Sequence, residues 1–474
     1  MNWETDIGLE VHVELNTASK IFCSCSTAFG VKPNSLCCPV CTGQPGALPV
    51  FNEKVLEYAV RTGLALGCDI ADETFFDRKN FFYPDLPRGY QISQLHATVC
   101  KGGGLEIDGD EGPRAIPITE LHMEDDAGKL AYGENGELYI DFNRCGVPLL
   151  EIVTAPELHS SREASAFLEE LAAVLRAIGV SDCRMEEGSM RVDINLSVRR
   201  KGEKLGVRTE MKNLSSLRSV RQAIRYEAER QIEILSSGGR VINETRRWDE
   251  DRGVSLSMRA KEERVDYRYF PEPDLPAIKI SRELVESQRR LIPELPRAKR
   301  LRYMRDFGLP EQDCRTLTSD VSVARVFEET VSLGVPPREA SKWICGDYLR
   351  LMKESGGRPR LMTAEKLAGI IAMVSEGRLT RANGRQALEA LFYTEGDPDK
   401  YAKEKGLFRI DDRQAVEEAA REVIKKFPAQ VEEYRAGKSK ILDFLMGQVM
   451  RTLEGRGDPS MVIEVLKNSI LRDQ

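Results

Sequence analysis

The sequence lacks the features of several classes of protein. Its 474 residues contain no apolar run near the roughly 18 residues that a membrane-spanning helix requires, so no membrane partner is predicted. The N-terminal residues have neither the basic nor the apolar part of a secretory signal, which predicts a cytoplasmic protein. Basic residues are not in excess, because 69 Lys and Arg stand against 76 Asp and Glu. This balance argues against a uniformly basic nucleic-acid-binding protein.

Several common catalytic motifs are also missing. The tripeptide Gly437-Lys438-Ser439 ends like a P-loop, but Glu432 stands where the first glycine of that motif is required. The sequence contains neither the protein-kinase motif set nor a G-x-S-x-G nucleophile elbow. If this chain uses ATP, it does so without a P-loop.

Five of the 11 cysteines lie close together, between Cys23 and Cys41. An odd number of cysteines in a reducing compartment favours free thiols or a metal site over disulfides. Two close pairs on either side of a turn-rich loop, with the spacing C-x-C-x12-C-x2-C, predict a closed structural zinc site. The predicted ligands are Cys23, Cys25, Cys38 and Cys41, with Cys37 as an alternative to Cys38. A set of buried free thiols is the other interpretation.

The hydropathy pattern divides the chain into two halves near residue 293. Before this point, short alternating runs separated by turn signals predict mostly β structure, interrupted by helices over 161–178 and 215–235. Beyond it, strand alternation disappears and apolar residues recur at helical spacing, as over 413–436 and 440–454. Glycine and proline breaks in this second half indicate a further boundary near residue 405.

Strict alternation places polar side chains on one face of two predicted strands. In GLEVHVEL the apolar residues face one side, and Glu10, His12 and Glu14 face the other. In RVDINLSVR the polar face includes Asp193. An ordinary amphipathic strand with a hydrated face would give the same pattern.

Acidic residues elsewhere suggest that these faces could form a site. Glu124 ends the segment LHME, and Glu151 interrupts the apolar run PLLEI, where burial is costly unless the carboxylate is paired or binds a metal. If the faces converge, Glu10, His12, Glu124, Glu151 and Asp193 make an oxygen-rich site. Such a site suits Mg²⁺ and a phosphorylated substrate better than zinc.

Two segments are locally basic, with a net charge of +5 over residues 184–268 and +1 over residues 401–474. They are either solvated helix faces or contacts for RNA phosphates, and charge alone favours the first interpretation.

Seven longer motifs follow one another along nearly the whole chain: IGLEVHVEL (7–15), DRKNFFYPDLPRGYQISQ (77–94), LHMEDDAGK (121–129), DFNRCGVPLLEIV (141–153), MEEGSMRVDINLSVR (185–199), ETRRWDE (244–250) and DYRYFPEPDLP (266–276). Together they resemble the GatB family, the B subunits of the aspartyl/glutamyl-tRNA amidotransferases. The resemblance implies an α+β fold with a large N-terminal cradle domain (1–293), whose sheet is mainly antiparallel and which carries the catalytic site. An all-α helical domain (294–405) and an all-α tail domain (406–474) that binds tRNA are expected to follow.

The resemblance also implies an activity. The amidotransferases to which the family belongs are ligases that form a carbon–nitrogen bond with glutamine as amido donor. With ATP and Mg²⁺, this subunit would phosphorylate the side-chain carboxylate of Glu-tRNA(Gln), Asp-tRNA(Asn) or both, and ammonia would then displace phosphate. The implied partners are an amidase (glutaminase) subunit that releases the ammonia, a small third subunit that completes a heterotrimer, and the misacylated tRNA.

Site residues follow from the same resemblance. Glu10, His12 and Glu124 resemble the family's metal and active-site residues, and Glu151, Asp193 and Glu210 are expected to line the same site. The Mg²⁺ ligands are expected among Glu10, His12, Glu124 and Glu151. Lys79 and Glu124 resemble a charged pair that gates an ammonia tunnel, although Lys79 read by itself is a surface lysine in a polar loop. The four cysteines resemble the zinc site of many family members, and the motifs do not identify the residues that contact ATP.

Two other functional classes fit parts of this pattern. A non-catalytic adaptor that only presents tRNA would need neither bound Mg²⁺ nor ATP turnover. A relative of the aminoacyl-tRNA synthetases would also use zinc, ATP and tRNA, but the sequence contains neither a HIGH nor a KMSKS signature. Their absence counts against the common class I synthetases.

Overall fold

The fold is taken from a computed structural model, which describes residues 3–133, 135–260, 267–356, 360–410 and 412–472. The first residue of the motif at 266–276 lies outside the described residues. The chain forms two compact units, Met1–Arg297 and Ala298–Gln474.

The first unit contains strands and helices in alternation. Its strands are β1 (Trp3–Glu14), β2 (Asp69–Ile70), β3 (Glu73–Thr74), β4 (Asp77–Asn80), β5 (Tyr90–Ser93), β6 (Cys100–Lys101), β7 (Gly104–Gly109), β8 (Gly112–Asp125), β9 (Lys129–Tyr132), β10 (Leu138–Asp141), β11 (Pro148–Thr154), β12 (Met190–Arg200), β13 (Thr209–Lys212), β14 (Glu244–Asp249), β15 (Val254–Ala260), β16 (Phe270–Pro271) and β17 (Ile278–Lys279). Its helices are α1 (Glu53–Ala65), α2 (Ser161–Ala177), α3 (Leu217–Ser236) and α4 (Arg282–Arg289).

Within the described residues, ten of these strands form one sheet in the order β15-β14-β13-β12-β1-β11-β8-β6-β2, with β7 paired to β8. The pairs along it are antiparallel except β13 with β14. Smaller sheets pair β9 with β10, β16 with β4 and β5, and β17 with β3. The predicted α+β class with a mainly antiparallel sheet is confirmed.

One face of the large sheet forms the core of this unit. Ile7, Leu9, Val11 and Val13 of β1 have no exposed surface. Helix α3 packs on β12, α1 packs on β8, and α2 packs on α3 and β7. Each fully buried side chain of this size contributes roughly 1.5–3 kcal/mol to the free energy of folding. Because alternate residues point to opposite faces, the polar residues of β1 face away from this core.

Capping residues set where the helices of the first unit begin. The side chain of Ser160 accepts a hydrogen bond from the backbone N–H of Glu163 at the start of α2, and Ser216 does the same for Ser219 at the start of α3. These bonds satisfy N–H groups that have no partner within the helix. The helices predicted over 161–178 and 215–235 are thus found within two residues of their predicted ends.

The second unit is all-α, as predicted. Its elements are α5 (Pro296–Phe307, which begins just before the boundary), α6 (Glu311–Thr318), α7 (Val321–Ser332), α8 (Pro337–Trp343), a turn of π-helix (Ile344–Tyr348), α9 (Leu349–Glu354), α10 (Ala364–Ser375), α11 (Arg381–Tyr393), α12 (Pro398–Glu404), α13 (Arg413–Lys426), α14 (Pro428–Arg435), α15 (Ile441–Thr452) and α16 (Pro459–Arg472). None of the helices in the described ranges is both long enough and apolar enough to cross a lipid bilayer.

The second unit contains two separate hydrophobic cores. One is built around Phe327, Trp343 and Phe392, and the other around Leu445, Val449 and Leu466 of the last helices. The division of the whole chain at residues 293 and 405 stays a prediction.

The predicted continuous helix over 413–436 is wrong. Helix α13 ends at Lys426, and α14 begins at Pro428. Proline lacks a backbone N–H and its ring clashes with the preceding helical turn, so a helix cannot continue through it but can begin there.

Candidate metal and catalytic site

Three neighbouring strands bring histidines and glutamates together on the polar face of the large sheet. Strand β11 lies between β1 and β8. The register places His12 opposite Glu151, and Glu151 opposite His122. Glu124 faces the same side as His122 because side chains alternate along β8. These four residues form what we call the His–Glu cluster.

The side chains of the His–Glu cluster are in close contact. Glu151 Oε2 lies 2.8 Å from His122 Nε2 and 3.4 Å from His12 Nε2. Glu124 Oε1 lies 3.6 Å from His12 Nε2, and Ser93 donates a hydrogen bond of 3.3 Å to Glu124 Oε2. His12, Glu124 and Glu151 offer ligand atoms within 4.8 Å of one another, so these three side chains could hold a metal ion.

Burial and neighbouring charges shift the pKa values in the cluster. Burial by itself would lower the pKa of His12, but the hydrogen bond and charge of Glu151, together with Glu124, raise it to about 9. Burial would raise the pKa of Glu151, but His122 and His12 hold it well below its usual range. Burial raises the pKa of Glu124, and repulsion from Glu151 raises it further. The two glutamates therefore differ in proton affinity, and such perturbation is concentrated at functional sites.

A second acidic group, the carboxylate trio, consists of Glu10, Asp193 and Glu210 on β1, β12 and β13. Their ligand atoms also lie within 4.8 Å of one another. Asn195 donates a hydrogen bond of 2.7 Å to Glu10 Oε1. Lys212 Nζ lies 3.0 Å from Glu210 Oε1 and also forms an ion pair with Asp193. The trio is thus compensated by one cation from β13.

The trio and the His–Glu cluster belong to one site. Glu10 and His12 are two residues apart on β1 and face the same side of the sheet. Burial raises the pKa of Glu10, and the charge of Glu151 raises it further. The structure therefore brings Glu10, His12, Glu124, Glu151, Asp193 and Glu210 to one face.

Lys79 approaches this face from β4 of the small three-stranded sheet. Its Nζ lies 5.2 Å from the ring centroid of Tyr267 and 5.9 Å from that of Phe81. Burial would lower the pKa of Lys79, but the charge of Glu124 and other nearby groups raises it. The charge of Glu124 thus acts on Lys79, while the role of Lys79 as an ammonia gate stays a prediction.

The small sheet is attached to the large one next to the cluster. The backbone N–H of Ile92 donates a hydrogen bond of 2.9 Å to Asp125 Oδ1, and Gln91 donates one of 2.8 Å to the backbone oxygen of Asp125. Arg88 forms an ion pair with the same carboxylate. Asp125 is 1% exposed, so these contacts are shielded from water.

The cysteine quartet, Cys23, Cys25, Cys38 and Cys41, forms a second candidate metal centre. Its four sulfur atoms lie within 4.8 Å of one another. A hydrogen bond from Cys23 is the main reason why the pKa of Cys41 is lowered to about 4. Burial acts in the opposite direction, and the Cys38 N–H and the charge of Lys20 lower the pKa further. A thiolate is the form of cysteine that binds metals. The quartet could therefore hold a structural metal ion such as zinc.

The structure distinguishes Cys37 from Cys38. The backbone N–H of Cys38 donates a hydrogen bond of 3.1 Å to Cys41 Sγ, and the two sulfur atoms lie 3.9 Å apart. Cys37 Sγ instead lies 3.8 Å from Asn143 Oδ1. Of the two ligand sets that the sequence left open, the geometry favours the one with Cys38.

Three residues of the site were not among the predicted site residues, namely His122, Asn195 and Lys212. Each lies two positions from a predicted residue on the same strand, beside Glu124, Asp193 and Glu210 respectively. Alternation along a strand would have placed them on the same face. Their contacts with residues of other strands could not have been read from the sequence.

Two family models match this chain, one within each of its two units. The family model described as "GatB/GatE catalytic domain" matches residues 5–286, which include both candidate sites. A second family model, described as "GatB domain", matches residues 325–470.

Relatives over the full length specify the family. The chain is 50% identical to the B subunit of aspartyl/glutamyl-tRNA(Asn/Gln) amidotransferase from Caldicellulosiruptor saccharolyticus, over 99% of both chains. It is 46% identical to the proteins of the same name from Lachnoclostridium phytofermentans, over 98% of both chains, and from Carboxydothermus hydrogenoformans, over 99%. The chain belongs to the GatB family, the B subunits of the aspartyl/glutamyl-tRNA amidotransferases.

The attachment of the small sheet makes a prediction about stability. The substitution Asp125→Ala removes the carboxylate that pairs with the guanidinium of Arg88. The Arg88 side chain is only 10% exposed, so water would not replace this partner. Removing one member of such a buried pair should lower the free energy of unfolding by about 3–5 kcal/mol. Hydrogen exchange of β5 and β8 peptides across a denaturant series would measure the loss.

The matched control is Glu187→Ala. The pair of Glu187 with Arg184 is exposed, with side-chain exposures of 38% and 58%, so its loss should cost less than about 1 kcal/mol. Equal effects of the two substitutions would contradict the assigned role of Asp125.

Proposed function

We propose that this chain activates the side-chain carboxylate of Glu-tRNA(Gln), Asp-tRNA(Asn) or both, and there accepts the ammonia that forms the amide. The observation that carries the proposal is the His–Glu cluster beside the carboxylate trio on one sheet face. Such a concentration of carboxylates suits Mg²⁺, and Mg²⁺ accompanies the phosphates of ATP.

The proposed reaction has two steps. In the first, a side-chain carboxylate oxygen attacks the γ-phosphorus of ATP, the bond from that phosphorus to the bridging oxygen breaks, and ADP leaves. In the second, ammonia attacks the carbonyl carbon of the acyl phosphate, inorganic phosphate leaves, and the nitrogen loses a proton. The products are Gln-tRNA(Gln) or Asn-tRNA(Asn). The reaction is that of a carbon–nitrogen ligase with glutamine as amido donor.

The residues present fit a magnesium site. Of the four expected ligands, His12, Glu124 and Glu151 would hold the ion, and Glu10 would lie alongside with Asp193 and Glu210. Within the described part of the chain, Nδ1 of His122 is buried without a hydrogen-bond partner, which leaves donor or acceptor capacity unused in the cluster. Bound Mg²⁺ would supply positive charge that neutralises the phosphates of ATP.

Two lysines have proposed roles at this site. The charge of Glu124 raises the pKa of Lys79, and the two residues would form the charged pair that controls the entry of ammonia. Lys212 compensates the trio and would hold Asp193 and Glu210 in place. Phosphoryl transfer to a carboxylate depends mainly on such positioning and charge compensation.

The proposed assembly is a heterotrimer in the cytoplasm. An amidase partner would release ammonia from glutamine, a small third protein would complete the complex, and residues 406–474 would contact the misacylated tRNA. The cysteine quartet would hold a structural zinc ion, since a closed site with four cysteine ligands leaves no position open for catalysis.

The catalytic proposal predicts the effect of Glu124→Gln. In the complex with the amidase and the small third protein, this change should lower the ATP-dependent formation of Gln-tRNA or Asn-tRNA about 100-fold or more, because it removes one charged ligand. Acid-gel separation of aminoacyl-tRNA and a phosphate-release assay would measure both steps.

Glu111→Gln, exposed in the turn just before the same strand, is the control and should retain activity. Retained tRNA-dependent ATP hydrolysis in Glu124→Gln would contradict the catalytic assignment.

The zinc proposal predicts a difference between adjacent cysteines. Purified protein should contain about one zinc ion per chain, since four cysteines complete one tetrahedral site. Cys38→Ser should lose most of the metal, and Cys37→Ser should keep it. Elemental analysis of the three proteins would decide, and a wild-type protein without zinc would refute the proposal.

The tail proposal predicts that deletion of residues 406–474 weakens tRNA binding but leaves the amidase partner bound. The last helices have a hydrophobic core of their own, so the preceding core, to which the deleted residues contribute Leu407 and Phe408, should keep most of its packing. Filter binding with tRNA and co-purification with the amidase partner would test the two parts. Loss of the complex would contradict the assignment.

A further inference from the structure

Lys20 is a buried lysine that neither the sequence motifs nor the proposed reaction explains. It has no exposed surface, and it lies among the largest fully buried side chains of the described residues. Lysine is almost never fully buried unless its charge is compensated. A buried ammonium at this position therefore needs anionic or strongly polar partners.

The ammonium of Lys20 has three such partners. Its Nζ donates hydrogen bonds of 2.9 Å to the backbone oxygen of Leu36 and 3.3 Å to that of Phe142, and it lies 3.6 Å from Cys41 Sγ. An ammonium group has three donors, so all of its hydrogen-bonding capacity is used. One partner belongs to the cysteine quartet, one to the loop between the cysteine pairs, and one to the connection between β8 and β11.

This connection, residues 126–147, is also tied to the cysteine loop by other bonds. Asn143 accepts a hydrogen bond of 2.8 Å from the N–H of Leu36 and donates one of 2.7 Å to the backbone oxygen of Lys32. The N–H of Ile21 donates one of 2.9 Å to the oxygen of Gly146. The strands on either side of the connection carry Glu124 and Glu151. The segment therefore joins the cysteine loop to the ends of both strands.

Besides making these hydrogen bonds, Lys20 carries a positive charge next to the cysteine quartet. Four thiolates around one divalent ion leave an excess of negative charge, and burying that charge is costly unless a cation lies close by. Lys20 Nζ is such a cation, in direct contact with Cys41 Sγ.

We propose that Lys20 is a positioning residue: its ammonium compensates the charge of the metal-bound quartet and fastens segment 126–147 to the cysteine loop. The first part of the proposal, charge compensation, rests on the zinc site proposed above. The second part, the attachment of segment 126–147, rests on the hydrogen bonds alone. It assigns a role in holding the β8 and β11 ends of the catalytic face, without contact with substrate.

The test compares Lys20→Met with Lys32→Met in the full chain. Methionine has a similar length but no charge, and Lys32 lies in the same loop with an exposed side chain. Zinc retention is measured by competition with a chromophoric chelator, and mobility by hydrogen exchange of peptides from 126–147. Lys20→Met should hold zinc about 10- to 100-fold more weakly, as found for outer-shell partners of metal ligands. It should also accelerate exchange in 126–147, and Lys32→Met should change neither.

Two further variants separate charge from attachment. Lys20→Arg keeps the charge and should recover part of the zinc retention. Asn143→Ala keeps the charge but removes two of the ties, so it should accelerate exchange in 126–147 and leave zinc retention within a factor of two. These variants also decide the question if Lys20→Met does not fold.

The proposal is overturned if Lys20→Met retains zinc like the wild type, or if its segment 126–147 exchanges at the wild-type rate. Failure of the zinc proposal gives a different result: the wild-type protein contains no metal and the chelator has no effect. The exchange measurement then still tests the attachment, with faster exchange in Lys20→Met supporting it and unchanged exchange overturning it.

Discussion

Strand β1 buries Leu9 and Val11 on one face and presents Glu10 and His12 on the other. Since side chains alternate with a period of two, a slip of one residue against β11 or β12 would turn the carboxylate toward the core and the leucine toward water. The core and the site are therefore fixed by the same register. The order of the sheet, the position of β8 beside β11, and the convergence of the acidic residues from five strands all depend on this central strand.

On the polar face of the sheet, histidines and lysines compensate the charge of the carboxylates. His12 and His122 lower the pKa of Glu151, Lys212 compensates the carboxylate trio, and the charge of Glu124 raises the pKa of Lys79. Burying these groups without partners would cost several kcal/mol each. The arrangement lets one folded sheet face hold these carboxylates close together. The cysteine quartet shows the same principle, with Lys20 as its buried cation.

The sequence was most informative where a local rule decides the structure. Alternation predicted the polar and apolar faces of β1 and β12, and the capped helices α2 and α3 lie close to their predicted ends. The prediction of helix over 413–436 missed the end of α13 before Pro428. The helical spacing of apolar residues continues there, but proline interrupts the helix. Among the site residues, Asp193 was visible from alternation, but the pairing of Asp193 with Lys212 needs the neighbouring strand β13. The choice between Cys37 and Cys38 needed the position of Asn143.

By itself, the sequence determined the class of fold, the strand faces and, through its long motifs, the family. The strand faces depend on residues close together in the chain, where spacing fixes geometry, whereas the family and the fold class that goes with it follow from a resemblance of motifs. The tertiary structure decided which acidic residues meet, that they form two groups on one face, and that Lys20 lies against the cysteine quartet. Those contacts join residues as far apart in the chain as Lys20 and Phe142, which are separated by 122 positions. Only the order and register of the strands bring such residues together, and no local pattern encodes that order.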